Sequence, residues 1–324
     1  MKRQSVNALV MAIILFVAAP AWAQTKTRIN WTAVTGAQSG MFMAQQEGVF
    51  KKNGLDAELI HIPSSSRGIQ AILAGEIGFS FMDGANEVQA NLKGANVALV
   101  AGATNRQVFS LMAKPEIKSV TDLKGKKIGI TRIGSSTHTS ALYALGQAGL
   151  KPSDYQILPL MEVPNIFTAL AAGQIDAGVV SPPTNSRARR AGFKELVDLA
   201  KDGPEYVSVA VGTSRSYISA NEDIARRVVR SYADGVYIFK TNKTAGLKMI
   251  QNYLKVKDAD IQEDTYNQFR QYLEYPPYVS RKGMEAILAE IAPTTKTAKV
   301  DDFIDMRFVA ELEKEGFFRK FAVK

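Results

Sequence analysis

The sequence predicts an α/β protein of two similar lobes, each a doubly wound, mainly parallel sheet, joined by a two-strand hinge. Two observations predict this fold: one segment occurs twice, and strands alternate with helices over most of the chain. The segment reads A-I-L-A-G-E-I-G-F-S-F at 71–81 and A-L-A-A-G-Q-I-D-A-G-V at 169–179, so its glycines, Gly75 and Gly173, lie 98 residues apart. Strands and helices that alternate with short connections are typical of parallel sheets.

The first lobe is predicted from residues 24–109. Alternation of Leu55, Ala57 and Leu59 with acidic residues indicates a strand that Pro63 ends. Serine hydroxyls after that proline can cap the next helix. The predicted strands are 28–34, 55–62, 77–81 and 97–101, and the predicted helices are 39–52, 68–74 and one that follows Asp83 and Gly84.

The second lobe is predicted from residues 110–206, and residues 207–324 are expected to return to the first lobe and end in helices. The apolar run 108–113 is expected to carry the chain across, and 206–211 to form the returning strand. The other predicted strands of this lobe are 128–131, 156–160 and 175–180, with helices from Gly134 to about Gly146 and over 165–172. The predicted C-terminal helices are 222–240, 245–254, 263–273, 283–291 and 301–318.

Residues 1–23 have the features of a secretory signal peptide. Lys2 and Arg3 precede an apolar stretch over 9–19, which is too short to span a membrane, and Ala21-Trp22-Ala23 is a small-x-small cleavage site. The mature chain is therefore expected to begin at Gln24. No cysteine follows to carry a lipid, and a soluble, exported protein of this kind is expected in a Gram-negative periplasm.

Composition excludes several classes of site. With no cysteine and only two histidines, the chain has no disulfides, no thiol catalysis and no thiolate or multi-histidine metal site. The net charge of +9 becomes +7 without Lys2 and Arg3. This positive charge either favours anionic ligands or a negative membrane face, or it reflects lysines scattered over the solvated surface. No basic-aromatic cluster indicates nucleic acid, and no nucleophile elbow or glycine-rich nucleotide motif is present. We expect no cofactor, no catalytic residue and a monomer.

Four polar turns, at 38–40, 64–68, 83–85 and 134–137, are candidates for a ligand site. Each follows a predicted strand or opens a helix, where ligands of open α/β sheets bind and where free backbone N–H groups favour anions. If the lobes face each other, all four turns point into one cleft, although ordinary helix capping would explain any single turn. The candidate ligand-binding residues are Ser39, Gly40, Met41, Ser65, Ser66, Arg67, Asp83, Gly84, Ser135, Ser136, Thr137 and Ser181.

Several side chains, in these turns and near them in the predicted fold, have more than one interpretation. Arg67 could bind an oxyanion through two hydrogen bonds or be solvated. Asp83 could receive an ammonium or hydroxyl group of the ligand, or only cap its own helix. Trp31 could form an aromatic wall, although a tryptophan in a strand is usually part of a core. The basic run Arg187, Arg189 and Arg190 is a solvated face by default and a partner surface otherwise.

Five segments together carry a resemblance to known proteins. They are S-G-M-F-M-A-Q-Q-E-G-V-F-K-K-N-G-L-D-A-E-L (39–59), A-I-L-A-G-E-I-G-F (71–79), D-L-K-G-K-K-I-G-I (122–130), G-S-S-T (134–137) and A-L-A-A-G-Q-I-D-A (169–177). As a set they resemble the solute-binding proteins of ABC importers for nitrate, aliphatic sulfonates and taurine. The resemblance covers residues 28–217, with a weaker helical tail, and is specific for the family rather than for a ligand.

The resemblance implies a type II periplasmic binding protein that closes on a small organic anion, a sulfonate or carboxylate, and delivers it to a membrane permease. It also implies that the four turns line the cleft. The alternatives are a binding protein for a pyrimidine or thiamine precursor, a biosynthetic enzyme on the same fold, and a sensor that presents ligand to a membrane kinase. Synthases of this fold carry a cysteine-rich iron motif that this chain lacks.

Overall fold

Two five-stranded sheets organise the protein. The structure, a computed structural model, describes residues 24–291 and 298–321, so the predicted signal peptide lies outside the described residues. We call the layers around the two sheets lobe 1 and lobe 2. In chain order the strands are β1 (Thr25–Trp31), β2 (Leu55–His61), β3 (Phe79–Met82), β4 (Val97–Thr104), β5 (Ser110–Ala113), β6 (Lys127–Ile130), β7 (Gln156–Pro159), β8 (Ala177–Val180), β9 (Lys194–Asp198) and β10 (Val209–Ser214).

Each sheet is mainly parallel, as the sequence predicts, and contains one antiparallel strand. The strand order is β2-β1-β3-β10-β4 in lobe 1 and β7-β6-β8-β5-β9 in lobe 2. β10 runs antiparallel to β3 and β4, and β5 runs antiparallel to β8 and β9. These two strands directly follow the two crossings between the lobes. The predicted lobe boundaries at residues 110 and 207 stay predictions.

Helices cover both sheets. Within the described residues, none of them is both long and apolar enough to cross a membrane. They are α1 (Ser39–Gln46), α2 (Val49–Lys52), α3 (Ser65–Leu73), α4 (Gly84–Asn91), α5 (Ser136–Gln147), α6 (Val163–Ala171), α7 (Thr184–Arg190), α8 (Leu199–Asp202), α9 (Arg215–Ala220), α10 (Glu222–Thr241), α11 (Lys243–Tyr253), α12 (Ala259–Tyr272), α13 (Arg281–Ile291) and α14 (Arg307–Lys314).

Both faces of each sheet carry a hydrophobic core. In β3, Phe79 and Phe81 belong to one core of lobe 1, whereas Met82 belongs to the other. In β5, Leu111 and Met112 are divided between the two cores of lobe 2 in the same way. Side chains alternate between the faces of a strand, so both faces must be covered by helices. This arrangement confirms the doubly wound prediction.

The structure corrects several predicted elements of the two sheets. Residues 110–113 do not merely connect the lobes, because β5 pairs with two strands of the second sheet. The returning strand is β10, which begins three residues later than predicted, because Tyr206 and Ser208 still bond to the outgoing crossing at Asn105 and Thr104. Strand β9 was not predicted.

Two predicted helices are interrupted. The helix expected over 39–52 is divided between α1 and α2 at Gly48, whose φ of 67° is left-handed. The helix expected over 301–318 includes only α14 as α-helix, because the chain before it binds the edge of β4. There the N–H of Leu99 donates to the carbonyl of Phe303, and the N–H of Asp305 donates to the carbonyl of Leu99.

A close contact between α1 and α10 joins the start of lobe 1 to its C-terminal helices. A Cβ atom added at Gly235 would lie 1.9 Å from the carbonyl oxygen of Gly40. A Cβ atom added at Gly40 would in turn lie 2.5 Å from Val236 and 2.6 Å from Tyr232. Both glycines are therefore required by helix packing.

Gly235→Ala should lower the free energy of unfolding by about 1–3 kcal/mol or more, because its methyl group overpacks this contact. The matched control is Gly146→Ala in α5, where an added Cβ meets nothing within 4 Å. There alanine should stabilise the protein by about 0.5–1 kcal/mol. Urea unfolding of the three proteins checks both signs, and equal effects of the two substitutions would contradict the packing account.

Candidate functional site

A cavity of about 90 Å³ lies between the lobes, where the carboxyl ends of strands from both sheets meet. This is the place at which open α/β sheets bind ligands. Its volume is several times that needed to hold one water molecule, so it has room for a small organic group. The lining residues are Thr32, Ala33, Val34, Thr35, Gln38, Pro63, Ser64, Ser65, Met82, Asp83, Phe109, Thr131, Arg132, Ser135, Ser136, Thr137, Met161, Glu162, Val163, Pro164, Ser181, Ser208 and Val209.

Six of the twelve residues proposed from the sequence line this cavity. They come from both lobes and from the carboxyl ends of β2, β3, β6 and β8, as the facing-lobe hypothesis requires. Whether they contact a ligand stays a prediction. The six residues are Ser65, Asp83, Ser135, Ser136, Thr137 and Ser181.

The first proposed turn lies away from the cavity. Ser39 is fully buried and donates its hydroxyl hydrogen to the carbonyl of Gly36, 2.6 Å away. Gly40 lies in the contact with α10, and Met41 is a fully buried core residue. Helix packing, rather than the cavity, therefore occupies these three positions, and only Gln38 of this turn reaches the cavity wall.

Three further proposed residues also lie outside the cavity lining. Ser66 and Arg67 are exposed, because successive residues of α3 are rotated by about 100° and only its first residue faces the cleft. Gly84 donates its N–H to the carbonyl of Val207 at 3.0 Å and packs close to Met284.

Asp83 joins the two lobes across the cleft. Its Oδ2 atom accepts a hydrogen bond from Ser65 in lobe 1 and another from Ser136 in lobe 2, both 3.0 Å long. Its Oδ1 atom accepts from the backbone and side-chain nitrogens of Asn86 at 2.8 and 3.2 Å, which caps α4. Burial raises the pKa of the Asp83 carboxyl above its usual range, and these hydrogen bonds oppose that rise. Asp83 therefore caps α4 and also connects the two lobes.

A second hydrogen bond reinforces this crossing. The side-chain amide of Asn86 also donates to the carbonyl of Gly134 in lobe 2 at 2.8 Å. The N–H of Gly134 donates to Nδ1 of His138, and burial lowers the pKa of that histidine. A neutral imidazole can accept this bond, so His138 supports the turn and does not line the cavity.

Sequence reasoning missed Arg132, the cation on the cavity wall. It is half-buried, and its Nε atom is buried without a hydrogen-bond partner among the described residues. An arginine binds carboxylate or sulfonate oxygens through paired N–H groups, and a buried donor without a partner is unfavourable until a ligand supplies one. Its position directly after the predicted strand 128–131 is the signal that could have identified it.

The backbone at the cavity wall is strained at two equivalent places. Ser64 precedes α3 with φ 83°, and Met161 lies just before α6 with φ 73°. These residues are 97 residues apart, close to the period of the sequence repeat. Left-handed conformations at non-glycine residues cost about 1–3 kcal/mol and cluster at functional sites.

Neither of the following helices has a side-chain cap, so the first N–H groups of α3 are available at the cavity. In α6 only Val163 offers a free N–H, because Pro164 has none and Asn165 donates to the carbonyl of Glu162. Glu162, the residue before α6, also lines the cavity. The lining thus combines one arginine, two carboxyl groups, several hydroxyls and two uncapped helix N-termini. Among the described residues, no three His, Cys, Asp or Glu side chains lie close enough together to hold a metal ion.

A family model described as "NMT1/THI5 like" matches residues 37–243. A binding protein of Brucella abortus is 26% identical over 271 residues, which cover 82% of this chain and 83% of that protein. The taurine-binding periplasmic protein of Escherichia coli is 26% identical over 255 residues, 76% of each chain. A 4-amino-5-hydroxymethyl-2-methylpyrimidine phosphate synthase of Saccharomyces cerevisiae is 27% identical over 154 residues, only 47% of this chain and 44% of that enzyme.

Two solved structures share the fold. The alkanesulfonate-binding protein SsuA from Xanthomonas axonopodis, bound to MOPS, has a TM-score of 0.70 and 20% identity, covering 82% of this chain and 91% of that one. The periplasmic nitrate-binding protein NrtA from Synechocystis has a TM-score of 0.76 and 12% identity, covering 90% and 89%. These likenesses confirm the predicted two-lobed binding-protein fold.

Glu87 of α4 makes the stability of this region depend on pH. Burial raises its pKa well above the ordinary value, and Asp83 adds to the rise, while Arg215 and a hydrogen bond from Asn91 oppose it. The native state therefore holds a proton that the unfolded chain releases near pH 4.3, so stability falls as pH rises above that value.

We therefore expect the free energy of unfolding to fall between pH 5 and pH 8, and Glu87→Gln to reduce that fall. Glutamine retains an acceptor for Asn91 and cannot ionise. Urea unfolding at both pH values measures the slope. Glu116→Gln, at an exposed position, is the matched control, and equal slopes in both variants would contradict the assignment.

Proposed function

The chain belongs to the NMT1/THI5-like family, and we propose that it is the solute-binding component of an ABC importer that captures a small organic anion outside the cytoplasm. The relatives that span most of its length are named as binding proteins, whereas the similar synthase covers less than half of it. This supports a binding role over the enzyme on the same fold. The taurine-binding relative is named as a periplasmic protein, which supports the same compartment for this chain.

One observation carries the anion assignment: among the described residues, the buried Nε atom of Arg132 has no hydrogen-bond partner, and it lies at the wall of a cavity that also receives the N-terminus of α3 and the N–H of Val163. A sulfonate or carboxylate can accept from the guanidinium and from these N–H groups at once. The carboxyl groups of Asp83 and Glu162 oppose such a ligand, but burial raises the pKa of Asp83 and favours its neutral form, which weakens the repulsion from this residue.

Binding and closure follow from the same contacts. The ligand enters while the lobes are apart and binds the polar turns of one lobe. Rotation about the two crossing segments then brings Ser136 to Asp83 and Gly134 to Asn86, which encloses the ligand. Closure also creates one surface from both lobes, and we propose that the inner-membrane permease recognises it. A monomer suffices for this cycle, and it requires neither a cofactor nor nucleic acid.

The candidate ligands are sulfonates and carboxylates, by analogy with the proteins that bind taurine and alkanesulfonates. The volume of this inner cavity, about 90 Å³, accommodates the anionic group and the adjoining part of a ligand, but not a large cofactor. Export through the signal peptide predicted at residues 1–23 would place the mature chain, without a lipid, in the periplasm.

Arg132→Gln should weaken binding of a small anion by about tenfold or more, since hydrogen bonds to charged groups are worth about 1.5–3 kcal/mol. The matched control is Arg67→Gln, which removes the same charge from an exposed position outside the cavity. Titration calorimetry of the mature chain with ethanesulfonate, benzenesulfonate, acetate and nitrate measures the effect.

The proposal predicts binding of at least one probe, lost in Arg132→Gln and kept in Arg67→Gln. Equal loss in both variants would mean that net charge, rather than the cavity, attracts the anion. Absence of binding by every probe in the wild-type protein would overturn the small-anion assignment while leaving the fold unchanged.

A further inference from the structure

A second, more open compartment adjoins the cavity. It has a volume of about 510 Å³ and lies between β1 and residues 252–255 of lobe 1 on one side and the start of α7 in lobe 2 on the other. The outer compartment therefore lies next to the inner cavity, and the side chains of Val34 and Pro164 border both.

The charges of the outer compartment are of one sign. Arg187 and Lys255 are its charged lining residues, and none of its other lining residues is acidic. Within the described part of the chain, neither side chain makes a hydrogen bond or ion pair. The inner cavity, in contrast, carries two carboxyl groups beside Arg132. The outer compartment thus attracts negative charge more strongly than the inner one does.

Arg187 differs from its neighbours on α7. Arg189 pairs with Asp264 at 2.7 Å, and Arg190 pairs with Asp258 at 2.6 Å, both on the lobe 1 side of the interface. These arginines have acidic partners supplied by the fold. The remaining arginine of the basic run, Arg187, is half-buried and faces the compartment with its charge uncompensated.

Aromatic side chains give the compartment a rigid wall. Trp31 stacks on His61 with ring centroids 3.8 Å apart, and Tyr253 stacks on Phe42 at 4.7 Å. Trp31 also meets Phe42 edge to face at 5.5 Å, so the rings form one continuous group. Because each ring is held by another, Trp31 and Tyr253 can bind an apolar body with little loss of side-chain entropy.

Strained backbone extends over both compartments. Among the described residues, the non-glycine positions with positive φ are Ser64, Met161 and Lys255, the last with φ 55°. The first two line the inner cavity and Lys255 lines the outer compartment. In the described part of the chain, all three of these costly conformations line one of the two compartments, which indicates that the outer compartment belongs to the same functional site.

We propose that the outer compartment binds the distal part of an elongated ligand: an apolar or aromatic body against Trp31 and Tyr253, with a second anionic group at Arg187 and Lys255. This inference rests on the proposed function, because it assumes that the first anionic group lies at Arg132. The ligand class is then an organic dianion with its charges at opposite ends.

Benzenesulfonate and 4-sulfobenzoate test this assignment, because they differ by one carboxylate at the far end of the ring. Titration calorimetry of the mature chain should give roughly tenfold tighter binding of 4-sulfobenzoate. Arg187→Gln should remove that preference and leave benzenesulfonate affinity nearly unchanged. Arg190→Gln, which removes the same charge from an ion-paired position on the same helix, should retain the preference.

Three outcomes separate this proposal from the proposed function. A preference for the dianion that Arg187→Gln alone removes supports the second compartment. Equal affinity for both probes, with both lost in Arg132→Gln, overturns the second compartment and leaves the anion site in place. Failure of both probes to bind overturns the dianion class, and the separate panel of smaller anions then decides on the inner site.

Discussion

The carboxylate of Asp83 is the group on which the arrangement of the cleft depends. A buried carboxyl group is unfavourable unless donors surround it, and here the donors come from α3, α4 and α5. Because α5 belongs to the other lobe, the same bonds that satisfy Asp83 also fix the separation of the lobes. Opening the cleft removes the bond from Ser136, and water must replace it.

A second set of contacts closes the interface through α7 and α12. Arg189 and Arg190 pair there with Asp264 and Asp258, but these side chains are a third or more exposed, so such pairs contribute only about 0–1 kcal/mol each. They orient the lobes without holding them firmly. The balance between open and closed states therefore rests on the hydrogen bonds of Asp83 and Asn86 across the cleft and on a ligand that satisfies Arg132. Hydrogen bonds from Asn185 and Ser186 of α7 to α12 add to the closed state.

The sequence predicts the fold well because its two signals, the alternation of apolar and polar residues and the segment repeated after 98 residues, can be read directly from the order of the residues. It predicted the turns after β2, β3, β6 and β8 because ligand sites of this fold occur at strand ends. It placed Ser39, Gly40 and Met41 in the cleft because it could not show that Gly40 packs against Gly235, 195 residues away. Likewise, the helical rotation of α3 leaves Arg67 exposed, whereas Arg132, just after β6, lines the cavity. The sequence also predicts too long a C-terminal helix, because the contact of the preceding segment with β4 is long-range.

The most direct test of the account is a crystal structure of the mature chain with the anion that binds it most tightly. The account predicts the anionic group in the cavity between the lobes, with an oxygen about 2.7–2.9 Å from a nitrogen of the Arg132 guanidinium. Asp83 should retain its hydrogen bond from Ser136 in that closed state. A ligand bound outside this cavity, or one whose charge lies away from Arg132, would contradict the account.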